Sequence, residues 1–432
     1  MEFYEHLTSY LSQKEIINLK EHLQDKSLHA ALVNPFLMSD EKFLSLFPNV
    51  KKHPIVDHAY IYDKEEYDLG KSIYHELGCF YLQEPSAMVP AFLLKVKQSD
   101  IVLDLCAAPG GKSIQCSFKK NNNGVIVSND ISKERCKKIV ENINRLGIGN
   151  IVVTNNDFSK IYNNFLNYFD KIILDAPCSG SGMFRKNENI KNDWTYNKVL
   201  KYQAIQKDLI TMCYKMLKPG GTLCYSTCSL SFEEDDEVAN FLVKNTDAII
   251  ENINDNPLFY KAKDGYGVHL LPSIFPGEGQ YICLFKKPIK ELEIKNKDLK
   301  NKNKFVNPLF KLIPFDVNYC DANVFNSKLY LYPIQFDFKN LFVVQPFLEV
   351  GKINKEIEKY SYQFARYIKN NDKEIELDIK DAEKIINGES LNLNKEKGIY
   401  LLKFNNYPIC FSKSDGRIIK NWYYKPIYPK KY

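Results

Sequence analysis

At 432 residues the chain exceeds one ordinary domain, so two or three are expected, and its 44% hydrophobic and 26% charged content reads as soluble and globular. The acidic start, MEFYEHLTSYLSQKE, lacks the apolar core of a secretory signal, and no uncharged run approaches the roughly 18–20 residues of a membrane span. Net charge is a mild +6, and the eleven cysteines show no C-x-x-C pair and no zinc spacing, which points to free thiols in a reducing cytoplasm, without metal or membrane.

In chain order, residues 1–75 read as a small N-terminal region with a helical stretch, EIINLKEHLQDK. From about 76 to 287 short β-branched runs alternate with helix-like stretches. IVLDL (101–105), VIVSN (125–129), IVVTN (151–155), KIILDA (171–176) and TLCYST (222–227) are predicted strands. Residues 131–147 and 196–221 are predicted helices, the second closed by Pro219 and a glycine pair. Ser231 and Glu234 have the spacing of a capping box that opens another helix. Such alternation implies a Rossmann-like α/β fold: a parallel sheet with helices on both faces and ligands beyond the carboxyl ends of its strands. A Lys/Asn-rich stretch gives a linker at 288–306. Residues 307–432 are long enough for a second small domain, in which SKSDGRIIKN looks like a tight turn between strands.

Two segments carry uneven charge. Residues 286–304 hold eight lysines against three acids, and 417–432, RIIKNWYYKPIYPKKY, hold five basic residues, five aromatics and no acid. Basic residues interleaved with aromatics suit phosphate contact and base stacking. A solubilising linker and an ordinary terminal strand pair explain the same residues.

The chemistry-bearing residues fall at strand ends. LDLCAAPGGKS (103–113) places Gly110 and Gly111 directly after a strand, where glycine lets backbone approach a ligand. The stretch is neither G-x-G-x-x-G nor a P-loop, which argues against dinucleotides and nucleoside triphosphates. Asp130 ends the second strand, where an acid can bind ribose hydroxyls, and Asp157 follows the third, within reach of an adenine edge. Together they suggest a nucleoside cofactor without pyrophosphate, S-adenosyl-L-methionine being the obvious one. Cys178, in DAPCSGSGMFRK, and Cys228, in YSTCSL, lie on ligand-side loops. Cys228 precedes a predicted helix, whose N-terminal dipole lowers a thiol pKa. A thiolate beside a methyl donor suggests covalent catalysis. Addition at carbon 6 turns a pyrimidine into an enamine that can take a methyl group at carbon 5. Cys116, Cys136, Cys213 and Cys224 read as inert core thiols.

LDLCAAPGGKS, DAPCSGSGMFRK and YSTCSLSFEEDDEV closely resemble the RNA 5-methylcytosine methyltransferases of the Sun and RsmF type. YLQEPSAMVP (81–90) is similar to the segment that precedes the cofactor domain in the RsmF branch, and GIYLLKFNNYPICFSKSDGRIIKNWY to its PUA-like RNA-binding tail. The resemblance implies Cys228 as nucleophile, Cys178 as aid to product release, Asp175 on the cytosine edge, and Lys112 near base and donor. It implies that Cys106, Ala107, Ala108, Pro109, Gly110, Gly111, Lys112, Asp130, Asp157 and Asp175 hold S-adenosyl-L-methionine. The implied substrate is 16S rRNA in the 30S subunit, with transfer RNA as alternative, and the chain is expected to act as a monomer. A non-catalytic ribosome-assembly factor is the competing class; it has no chemical reason to keep Cys228, Asp175 and Lys112 together. An amino-methyltransferase would show an N-P-P-Y-like stretch in place of DAPC. Ser181 in SGSG, Ser273 in HLLPS and Gln280 in GEGQY depart from the family pattern, and none is a catalytic position.

Overall fold

A computed structural model describes residues 2–253, 255–262, 265–289, 308–315, 319–334, 336–338 and 341–423. Residues 290–306 of the expected linker, position 307 and the last part of the basic, aromatic tail (424–432) lie outside the described residues.

The five apolar runs form the parallel strands β1 (Ile101–Asp104), β2 (Val125–Asn129), β3 (Ile151–Thr154), β4 (Phe169–Asp175) and β5 (Leu217–Thr227). Both faces of these strands are covered, which is why they read as nearly unbroken apolar runs. Successive residues alternate between two cores: Leu103, Val125 and Val127 join one, Val102 and Ile126 the other. The first core is covered by helices Tyr196–Met216 and Asp236–Asn245, the second by Pro85–Leu93, Gly111–Lys119 and Lys133–Arg145. In chain order we call Gly111–Lys119 α1, Lys133–Arg145 α2, Tyr196–Met216 α3 and Asp236–Asn245 α4.

The sheet is mixed, not purely parallel as expected. Strands β6 (Ile249–Glu251), β7 (Val268–Leu270) and β8 (Gln280–Lys286) run antiparallel at one edge, and Val343–Gln345 pairs antiparallel with β3 at the other. The spatial order is β6-β8-β5-β4-β1-β2-β3 and then Val343–Gln345, with β7 on β8. A segment beyond the expected linker therefore completes the main sheet. A second difference is that α3 stops at Met216 and β5 begins at Leu217, so Pro219 and the glycine pair lie in the strand. Lys218 precedes a proline and is steered away from helical geometry.

The N-terminal region builds its own antiparallel sheet from Lys51–Lys52, Ala59–Tyr62, His29–Val33 and Phe80–Gln83. Its core is continuous with that of the C-terminal five-stranded module: Phe43 and Phe80 share a cluster with Ile385, Leu402 and Ile409. In that module the expected turn falls between Tyr407–Ser414 and Ile418–Lys420, with Gly416 at φ +109°. Between the main sheet and this module stands a four-stranded antiparallel sheet: Asp321–Phe325, β9 (Lys328–Tyr332), β10 (Leu348–Asn354) and β11 (Glu356–Tyr360).

Candidate active site

The strand order reverses between β1 and β4, and the crevice beyond their carboxyl ends is where open α/β sheets bind ligands. A cavity of about 570 Å³ lies there, lined by Cys106, Ala108, Asp130, Asp175, Cys178 and Cys228 among others. Gly110, at φ +108°, caps α1 in a left-handed conformation that disfavours a side chain. Ala107 turns the chain, its N–H donating to the Asn129 carbonyl (2.8 Å) and its carbonyl accepting from Gly110 N–H (2.7 Å) across Pro109. Gly111 is small for another reason than a ligand: a Cβ there would meet the Gln83 side chain at 2.9 Å.

Asp130 is buried at the end of β2. Its carboxylate accepts from the backbone N–H of Ser132 (2.9 Å) and Ala108 (3.3 Å) and lies 3.4 Å from Arg135. Asp157 does not join it. That residue is exposed and caps the helix Phe158–Asn164, accepting from the Ser159 N–H (2.9 Å) and hydroxyl (2.6 Å), which hold its carboxyl below the usual range. Its neighbour Phe158 lines the cavity instead.

Asp175, at the end of β4, receives three donors: Lys112 Nζ at 2.7 Å on Oδ2, and Ser226 Oγ at 2.7 Å and Gln280 Nε2 at 3.0 Å on Oδ1. Lys112 is buried; burial opposes its charge, but the Asp175 carboxylate holds the ammonium pKa above its ordinary value. Gln280 arrives through the antiparallel β8, whose Tyr281 pairs with Thr227.

Cys178 and Cys228, fifty positions apart, bring their sulfurs to 3.2 Å. The hydrogen bond to Cys228, burial and the nearby Glu234 and Asp175 raise the Cys178 thiol pKa well above the ordinary range, so Cys178 keeps its proton. The Glu234 carboxylate ties the two loops together. It accepts from Ser179 N–H (2.8 Å) and hydroxyl (2.5 Å), from Ser229 Oγ (2.7 Å) and from Gln206 Nε2 (3.1 Å). Ser181 adds a stitch, accepting from Leu230 N–H at 2.8 Å, and Gly182 N–H donates to the Cys228 carbonyl at 2.8 Å.

These contacts correct two expectations. The Ser231/Glu234 capping box does not form, because Glu234 is committed to the cysteine loops and α4 starts only at Asp236. For the same reason Cys228 stands eight residues before that helix, outside the first turn where the dipole acts. Glu234, Ser179 and Gln206 are site residues that the sequence reading does not single out as such; one acid among the five of FEEDDE carries no signal of its distant partners.

The N-terminal helices, Phe3–His6 and Gln13–His22, close over these loops. Phe3 meets Phe184 edge-on at 4.7 Å, Tyr10 Oη donates to the Leu230 carbonyl at 2.7 Å, and Arg185 donates to the His22 carbonyl at 3.2 Å. Cys116, Cys136, Cys213 and Cys224 are fully buried in the two cores.

Residues 91–286 match the family described as 16S rRNA methyltransferase RsmB/F, and residues 372–426 match the methyltransferase RsmF PUA domain. The chain thus carries an RsmB/F-type methyltransferase domain followed by an RsmF-type PUA domain. Ribosomal RNA small subunit methyltransferase F of Vibrio vulnificus is 38% identical to this chain over 234 residues, or 52% of the chain and 49% of the relative. The chain thus spans about half the length of that relative. The protein of the same name from Shewanella piezotolerans is 29% identical over 96% of the chain and 93% of its own length. A tRNA (cytosine(49)-C(5))-methyltransferase of Pyrococcus abyssi is 40% identical over 44% of the chain and 61% of the relative. Among solved structures, a methyltransferase homologue from Pyrococcus horikoshii, 26% identical, superposes with a TM-score of 0.59 over 66% of this chain and 93% of its own.

Proposed function

We propose that the protein transfers a methyl group from S-adenosyl-L-methionine to carbon 5 of a cytosine in RNA, with 16S rRNA of the small ribosomal subunit as substrate. The observation that carries this reading is the pair of thiols 3.2 Å apart beside Asp175 on one cavity. Single-methyl chemistry on nitrogen or oxygen needs no second sulfur; a covalent route through carbon 6 uses one to attack and one to release.

The cavity fits an adenosyl cofactor. Its volume of about 570 Å³ lies within the roughly 300–1,000 Å³ of small-molecule sites, and the buried Asp130 carboxylate offers ribose hydroxyls an acceptor. Cys106 to Lys112 form the turn beneath it. Bound there, S-adenosyl-L-methionine supplies an electrophilic methyl group.

The protein's residues do the rest. The Cys228 thiolate adds to carbon 6, and the ring π electrons move to carbon 5, which takes the methyl. Asp175 is held in orientation by three donors, and a carboxylate's four lone-pair sites leave one to accept from the exocyclic amino group on the cytosine edge. Loss of the carbon 5 proton and expulsion of the Cys228 sulfur restore the ring, releasing one proton per methyl transferred. Cys178, in contact with Cys228, hands its proton to the departing Cys228 sulfur and takes the carbon 5 proton in its place, and the one proton released then leaves from Cys228. A target base inside structured RNA must be unstacked into the cavity.

The name and 40% identity of the Pyrococcus abyssi relative favour transfer RNA as the second substrate reading. Labelled methyl transfer to unmodified 30S particles, naked 16S RNA and transfer RNA, followed by digestion to nucleosides, separates them. Label in 5-methylcytosine from one substrate, lost in Cys228→Ala while RNA binding persists, is the expected result. Full activity in that variant overturns the covalent route, and failure to bind the cofactor favours a non-catalytic assembly factor.

A further inference from the structure

A second cavity, of about 540 Å³, lies between α2 and the sheet that contains β9, β10 and β11. From α2 it is lined by Lys137, Val140, Glu141 and Asn144, the i, i+3, i+4 and i+7 positions of one helical face. On the opposite wall Lys328 of β9 pairs in register with Lys352 of β10, and Lys352 pairs with Lys359 of β11. Three lysines therefore stand abreast across three adjacent strands, all lining the same cavity. Neighbouring Cβ atoms in such a row are about 4.5–5.5 Å apart, and like charges directly opposite weaken a sheet. Folding alone gives no reason for the row.

Lys328 has Glu349 at 2.8 Å, and Lys352 has Glu358 at 3.1 Å. Lys359 is half-buried and has no carboxylate partner among the described residues; burial lowers its ammonium pKa. An anion placed on the row would relieve both the mutual repulsion and the uncompensated charge. On the same cavity sits the half-buried Trp422, from the basic, aromatic tail, with Tyr362 nearby in the lining. The three lysines lie outside both matched family segments.

We propose that this cavity is an RNA subsite, which seats an unpaired nucleotide with its phosphate on the Lys328–Lys352–Lys359 row and its base against Trp422. The inference rests on the RNA-substrate reading above. Helix α2 connects the two places: Arg135 lines the reaction cavity and Lys137, two residues on, lines the subsite. A strand held in the subsite thereby lies against the helix whose first turn borders the reaction cavity.

The test uses the full chain and a labelled short single-stranded RNA of mixed sequence, titrated by anisotropy over a range of salt. Lys359→Glu is expected to weaken binding about tenfold and to flatten the log–log salt dependence by about 0.7, the contribution of one phosphate on a single strand. Its melting temperature should not fall, since the reversal relieves like-charge repulsion. Trp422→Ala is expected to weaken binding by about five- to a hundredfold with the salt slope unchanged. Lys359→Arg should bind as the parent does. Parent-like affinity and slope in both disruptive variants overturn the subsite, as does a loss in Lys359→Glu with no change in slope. Methyl transfer at saturating RNA persists in these variants if only the subsite fails. If the parent methylates no RNA yet the slope change appears, the subsite stands and the methyl-transfer reading falls.

Discussion

Asp104 ends β1 with its carboxyl fully buried. One oxygen accepts from Ser113 Oγ at 2.7 Å and the other has no hydrogen-bond partner. Burial raises its pKa from 3.8 to about 7, against the opposing pull of Ser113 and Lys112. The folded protein thus holds a proton that the unfolded chain releases near 3.8, so stability falls as pH rises between those values and is level above about 7. At about 1.4 kcal/mol per pH unit the full penalty is about 4 kcal/mol, more than half of which appears above pH 5. Asp104→Asn removes this charge. The unsatisfied amide N–H it introduces adds a cost that does not vary with pH. Between pH 5 and pH 8 the variant should therefore gain about 2–3 kcal/mol on the parent, or roughly 5–10 °C in melting temperature at 2–4 °C per kcal/mol. Melting curves of both proteins, taken every half pH unit, read this difference directly. Glu234 and Asp235, also raised by burial, contribute equally to both proteins and cancel. Parallel pH profiles would refute the assignment of a neutral Asp104.

Cys178→Ala should accumulate a covalent protein–RNA adduct, visible as a retarded band on a denaturing gel; methylation that proceeds with no such band would remove Cys178 from product release. Glu234→Ala strands four donors, three on the two cysteine loops and Gln206 Nε2 on α3. It is expected to cost about 3–5 kcal/mol in urea unfolding and to lower kcat more than it raises KM, whereas Glu234→Gln should recover part of both. Arg185→Ala leaves the buried Glu278 without its partner at 3.0 Å. A stability loss of about 3–5 kcal/mol is expected, and a loss under 1 kcal/mol would mean that Glu278 is protonated in the folded protein.

Much of the site was legible because strand ends are marked locally. An apolar run that stops at an acid or a glycine pair locates a ligand-side loop without knowledge of the partners, and Asp130, Asp175, Cys106, Ala108, Cys178 and Cys228 all reach one cavity. Local signals misled where they had two physical outlets. Asp157 follows a strand and also precedes a helix, and the Ser159 N–H and hydroxyl take its carboxylate. Ser231 and Glu234 have capping-box spacing, yet a buried carboxylate gains more from four converging donors than from one cap.

The sequence by itself determined the strand–helix alternation, the five parallel strands and the loops that bear the thiols, since periodicity and strand-end residues act within a few positions. Only the tertiary structure decided that Cys178 and Cys228 touch, that Gln280 reaches Asp175 from an antiparallel strand, and that residues 3–22 close over the cysteine loops. It alone aligned Lys328, Lys352 and Lys359 in one row. These contacts depend on register and packing between segments tens to hundreds of residues apart, and a one-residue slip in any strand would send each side chain to the other face.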